Sequence, residues 1–170
     1  RVESNPQGKL FQNFLATAFM AHPYRVMGTG WPSDIANLRV RDAVEFYRTW
    51  YVPSNITLAV AGDVEPAEVK RLAEKYFGPM RASPPPPLLH TEEPDQPGPR
   101  RAQVESPSQP VLILGYKRPD QFSPDAAALD VAGGILSSGR TGLLYRELVR
   151  DRRIALAAQA AASFPAGKYK

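Results

Sequence analysis

At 170 residues the chain is long enough for one sizeable core or two small ones. Hydrophobic residues at 43% and charged residues at 22% are close to the average for folded globular proteins, which excludes wholesale disorder. The 21 Lys+Arg against 17 Asp+Glu leave +4, but the bases are interleaved with acids, as in Lys70-Arg71-Leu72-Ala73-Glu74-Lys75; this pattern reads as solvated helix faces and speaks against a nucleic-acid partner.

The first predicted element is a helix starting at Pro6, capped by Ser4 or Asn5, with Leu10, Phe14 and Ala18 at helical spacing to about Met20. Ala21 to Trp31 reads as a loop carrying His22-Pro23-Tyr24, Gly28 and Gly30, followed by a short helical turn capped by Ser33. From about Arg41 to Tyr51, Val44, Tyr47 and Tyr51 share one face with Phe46 and Trp50 beside them, the pattern of a buried helix that Pro53 ends. Asn55 to Gly62 is apolar on both alternating sets, as an interior strand would be. Glu65-Pro66 then opens a helix with Val69, Leu72, Ala73, Tyr76 and Phe77 in one stripe, stopped at Gly78.

Residues 83–98 form a Pro-rich linker. Pro84–Pro87, Pro94, Pro97 and Pro99 remove seven backbone donors, so the tract is expected to lie extended on the surface, with nothing apolar to anchor it beyond Leu88 and Leu89. Beyond it, Arg101 to Glu105 and Val111 to Tyr116 read as strands, Ser123-Pro124-Asp125 opens a helix through Leu136, Ser137 to Gly142 is a turn, Leu143 to Arg150 a helix, and Ile154 to Phe164 a returning strand. The expected fold class is α+β, in two related layered units with helices packed on antiparallel-rich sheets, spanning residues 1–82 and 99–170. Both ends read as cut.

The motifs give little chemistry. With no cysteine there is no disulfide, thiolate zinc site or cysteine nucleophile. No apolar run approaches the roughly 20 residues of a membrane span, so a soluble chain is expected. Gly134-Ile135-Leu136-Ser137-Ser138-Gly139-Arg140-Thr141 approximates a phosphate loop, with Arg140 where Lys is required, but a helix precedes it and an interhelical turn explains it better. The two histidines, His22 and His90, lie in separate segments without ligand partners at helical spacing; His22 is expected to cap backbone groups and His90 to be exposed.

In order, the succession Arg1-Val2-Glu3-Ser4-Asn5-Pro6-Gln7-Gly8, Ala21-His22-Pro23-Tyr24 with Gly28, Asp42 to Phe46-Tyr47 and Trp50-Tyr51-Val52-Pro53-Ser54-Asn55 resembles the pitrilysin/insulinase family of zinc metallopeptidases, which includes mitochondrial processing peptidase. Leu58-Ala59-Val60-Ala61-Gly62-Asp63, Lys75-Tyr76-Phe77-Gly78, Ile135-Leu136-Ser137-Ser138-Gly139-Arg140 and Leu144-Tyr145-Arg146-Glu147-Leu148 continue the resemblance through a first domain into a second. One departure is Val40, where the family usually offers a capping Thr or Ser. The resemblance implies zinc in the parent protein, held by a His-x-x-Glu-His helix and a distant Glu that would fall before Arg1; Glu3 matches a non-ligand position. No catalytic, cofactor-binding or metal-ligating residue is therefore expected in this chain. It would be a non-catalytic portion of an endopeptidase that encloses and hydrolyses peptides; alternatively, its parent is a noncatalytic partner subunit without a zinc site, with a homodimer or a related subunit as partner.

Overall fold

The computed structural model describes residues 5–88, 90–120 and 122–161. The chain divides into two compact units, one joining Arg1–Met27 to Thr91–Lys170, the other formed by Gly28–His90.

In the first unit, α1 (Pro6–Ala18) begins where Asn5, in extended backbone, accepts the Gln7 N–H on its side-chain oxygen and Pro6 fills the first helical position. Leu15 is buried, and the helix ends as Phe19 turns extended while still donating its N–H to the Leu15 carbonyl. A 3-10 turn at Pro23–Arg25 follows. The chain returns at Thr91. Gly115 sits so close beneath the Phe14 ring that any Cβ there would collide with it. Helix α5 (Ala126–Ser137) starts on Asp125, with Ala126 buried and Asp130 paired to Arg118 at 2.8 Å. A 3-10 turn, Gly139–Thr141, leads to a π-helical segment, Tyr145–Asp151. That segment closes with Arg153 at φ 52°, which lets Arg152 N–H reach the Glu147 carbonyl and Ile154 N–H the Leu148 carbonyl.

The second unit holds α2 (Pro32–Asn37), α3 (Val40–Trp50), a 3-10 turn at Pro53–Asn55 and α4 (Pro66–Phe77). Trp31, not Ser33, occupies the N-cap of α2 and gives no side-chain cap. At α3 the cap expected of a residue at Val40 is replaced: Asp42, one turn in, accepts the Arg39 N–H on Oδ2 at 2.8 Å. The aromatic side chains of α3 pair along the helix, Phe46 with Trp50 at 6.0 Å and Tyr47 with Tyr51 at 5.1 Å. This helix is not the buried one its pattern predicts, since Tyr47 is 60% and Phe46 57% exposed. Val52, just after it, is the buried apolar side chain among the described residues of the unit.

The expected α+β class with antiparallel sheets is contradicted. Among the described residues there is no strand and no sheet; every regular element is helical. Asn55 to Gly62, Arg101 to Glu105, Val111 to Tyr116 and Ile154 to Ala161 carry strand-like sequence without a ladder, and Phe164, the end expected for the last of them, lies outside the described residues, as do Arg1 to Ser4 and Leu89. The physical reason is that β-propensity describes fitness for a pleated, half-buried surface and supplies no hydrogen bonds of its own. The N–H and C=O groups of residues 57–61 find no cross-strand partner among the described residues, and Leu58 and Val60 are exposed. The helices at α1, α3, α4 and α5 close their own hydrogen bonds and need no such partner.

Candidate functional site

The most heavily engaged ionisable group of the described residues is Glu93, in the first unit. The carboxylate is fully buried although its described neighbours in the Pro-rich tract lie extended and exposed or half-exposed, as expected of a surface linker. An ionic anchor fastens the tract at this one residue. After α1 ends, the backbone turns so that three successive N–H groups point to one place: Met20 N–H donates to Oε1 at 2.8 Å, and Ala21 and His22 N–H donate to Oε2 at 2.8 and 2.9 Å. Lys117 Nζ completes the shell at 2.7 Å from Oε1, and Arg100 Nη1 lies 3.9 Å from the same oxygen. Converging backbone amides form a concavity suited to anions, and charge assistance from the ammonium strengthens it.

The cations are placed by contacts of their own. Lys117 Nζ lies 5.7 Å from the centre of the Phe19 ring, so the ammonium bridges a carboxylate and an aromatic face. Arg100 Nη1 donates to the Thr17 and Ala18 carbonyls at 3.1 Å each, groups that the end of α1 leaves without helical donors, and Arg25 Nη1 donates to the Met20 carbonyl at 2.9 Å. With Ala16, Thr17, Phe19 and Met20, the two arginines line an open cleft of about 290 Å³. Burial raises the Glu93 pKa, but the Lys117 hydrogen bond and the amides of Met20, His22 and Ala21 outweigh it and hold the carboxyl at about 2. The site thus keeps an ionised carboxylate whose lone pairs are occupied by donors, which suits it to holding polypeptide and unsuits it to general-base or metal-ligand work.

His22 caps the backbone as its sequence context suggests: Nδ1 accepts the Tyr24 N–H at 3.2 Å, and the ring lies 4.4 Å from that of Tyr24 and 5.7 Å from that of Phe19. Burial lowers its pKa, opposed by the charge of Glu93. His90, in the other unit, is exposed. Gly139–Thr141 forms the interhelical turn expected, with the Thr141 and Gly142 N–H groups and the Thr141 hydroxyl all turned onto the Ser138 carbonyl. Those donors are spent locally and do not converge on a phosphate-sized space. Glu3 lies outside the described residues.

The residues present do not fit a zinc ion. Among the described residues no three of His, Cys, Asp and Glu come together, the exposed His90 belongs to the other unit, and the two groups that do approach each other, His22 and Glu93, have Nδ1 and both carboxylate oxygens turned to backbone amides. No helix is long and apolar enough to cross a membrane among these residues. The sequence reading missed Glu93 altogether, because its partners lie 71 to 73 positions earlier and its neighbours Glu92 and Asp95 look no different in sequence.

Comparison with known proteins supplies the lineage. Residues 37–167 match the peptidase M16 inactive domain. The chain is 33% identical over 162 residues to the zinc protease PqqE of Helicobacter pylori, covering 91% of this chain and 36% of that protein. It is 34% identical over 82 residues to presequence protease 1 (chloroplastic/mitochondrial) of Arabidopsis thaliana, covering 48% of this chain and 7% of that protein. Its backbone superposes on the crystal structure of a protease from Helicobacter pylori with a TM-score of 0.81 at 33% identity, over 91% of this chain and 38% of that one. The chain therefore spans little more than a third of the relative it follows along most of its length, and it belongs to the peptidase M16 family, with residues 37–167 corresponding to that family's inactive domain.

Proposed function

We propose that this chain is a non-catalytic portion of a zinc-dependent endopeptidase that encloses and hydrolyses peptides, with the zinc motif outside these residues. The observation that carries the reading is the match of residues 37–167 to an inactive domain. The 33% identity to a zinc protease along most of the chain supports it. So does the chemistry of the described side chains: among them the one buried carboxylate is saturated by donors and the histidine beside it is committed to a backbone cap, leaving no oriented base or ligand set among the described residues. In this reading the residues contribute wall and packing to a peptide-holding protein, and peptides are the substrates of the whole.

The test has two parts. The isolated chain, dialysed against zinc and then against buffer, should retain far less than one equivalent of metal and should not cleave unfolded peptides. The full-length parent protein should cleave them in a chelator-sensitive way, and deleting residues 37–167 from it should abolish cleavage. Stoichiometric zinc in the isolated chain, or chelator-sensitive cleavage by it, would overturn the assignment of a non-catalytic portion. A parent that binds no zinc and cleaves nothing would overturn the endopeptidase and leave the noncatalytic subunit.

A further inference from the structure

The contacts of Glu93 have the composition of a binding site. Three consecutive backbone amides, from Met20, Ala21 and His22, and one ammonium, from Lys117, converge on a space that a single carboxylate fills, with no solvent-accessible area left on the Glu93 side chain. The amides belong to a turn whose conformation is fixed on both sides: Phe19 N–H is bonded to the Leu15 carbonyl before it, and His22 Nδ1 to the Tyr24 N–H after it. The ammonium is held over the Phe19 ring. Each donor is therefore placed by contacts other than Glu93 itself, which is the property that separates a preorganised receptor from a group of side chains gathered around a charge.

We infer that the Met20–His22 turn with Lys117 is a carboxylate receptor, and that Glu93 is its built-in ligand, strapping residues 91–100 to the end of α1. The geometry gives the strap two fastenings. Glu93 enters the receptor, and seven residues on Arg100 donates to the Thr17 and Ala18 carbonyls, so the strap is held by an anion in a ring of donors and by a cation on a pair of acceptors. The chain leaves this unit after Met27 and returns at Thr91, and the Glu93–His22 bond joins positions 71 residues apart close to both crossings. Because the ligand is tethered, its effective concentration at the receptor is on the order of millimolar or higher, and free carboxylates do not displace it from the intact protein.

The test is chemical rescue in the full chain. Glu93→Ala removes the carboxylate and one methylene, leaving a space of the size of acetate. Trypsin cleavage after Arg100, which requires its guanidinium to leave the Thr17 and Ala18 carbonyls, should be about 10-fold faster in Glu93→Ala than in the wild type, a factor equivalent to about 1.4 kcal/mol. Sodium acetate at about 100 mM should slow that cleavage back towards the wild-type rate, by the mass action of a ligand that binds the closed form; acetamide, and sodium chloride at the same ionic strength, should not. An unchanged cleavage rate in Glu93→Ala would refute the strap, and rescue by acetamide or chloride as good as by acetate would refute the receptor. Should the variant not fold, amide exchange of the wild-type chain decides: the Met20, Ala21 and His22 amides must exchange slowly at neutral pH, and Lys117→Met must speed all three. Rapid exchange in the wild type, or no response to Lys117→Met, would overturn the inference equally.

Discussion

Replacing Glu93 by Gln keeps the shape of the side chain while removing its charge, and the structure sets both the size and the pH course of the effect. A carboxyl that titrates at about 2 in the folded chain and near its ordinary 4.5 when unfolded stabilises the fold by about 3 kcal/mol at neutral pH. The sign follows from the direction: the folded pKa is the lower one, so on acidification the unfolded chain takes up the proton first. The stabilisation is complete above pH 4.5, declines as the pH falls below that value, and is gone once the pH has passed through about 2. Urea unfolding of wild type and Glu93→Gln, at constant ionic strength and at several pH values between 7 and 2.5, should show a gap of about 3 kcal/mol that narrows only below pH 4.5. The groups facing Glu93 are Lys117, Arg100 and, through its amide and its imidazole, His22. The pKa of His22 is lowered, chiefly by burial and against the raising influence of the Glu93 charge, so Glu93→Gln also removes a partner of the protonated imidazole; any change of the gap as the pH falls below 6.5 and stays above 4.5 is therefore a widening, opposite in sign to the Glu93 window. A gap that is independent of pH, or smaller than 0.5 kcal/mol throughout, would refute the account of a carboxylate held ionised by its donors.

Three other substitutions probe the local geometry. Gly115→Val should destabilise by about 1–3 kcal/mol because its side chain meets the Phe14 ring, and a double-mutant cycle with Phe14→Ala should recover more than 0.5 kcal/mol of that loss in denaturant titrations. Arg153, at φ 52°, occupies backbone space that glycine enters freely, so Arg153→Gly should raise stability by up to about 1 kcal/mol whereas Arg153→Val should lower it by more than 1, read from thermal unfolding of the two variants side by side. Asn5→Ala removes the side-chain acceptor of the Gln7 N–H and should cost about 1 kcal/mol and loosen the amide protection of the first turn of α1.

The positions of the helices were legible in the sequence because their signals are local. Asn5-Pro6 marks the start of α1, Glu65-Pro66 and Gly78 bracket α4, and Ser137 to Gly142 marks the turn after α5, each by backbone preferences that act within a few residues. The ordered landmarks from Ala21-His22-Pro23-Tyr24 to Leu144-Tyr145-Arg146-Glu147-Leu148 were enough to indicate the peptidase family, since a lineage is written in the chain itself. Pairing between distant segments was not legible. Asn55 to Gly62 and Val111 to Tyr116 have the composition of strands, but a strand exists only where another backbone meets its hydrogen-bonding groups, and among the described residues none does. The same limit hid Glu93. Its sequence neighbourhood, a Pro-rich tract with other acids beside it, describes a free linker; what makes it the anchor of that tract is a turn 71 to 73 residues earlier whose amides converge on one point and a lysine 24 residues later. Local chemistry sets which segments coil and where they stop, whereas the value of a charge depends on what the folded chain brings against it, and that was decided only in three dimensions.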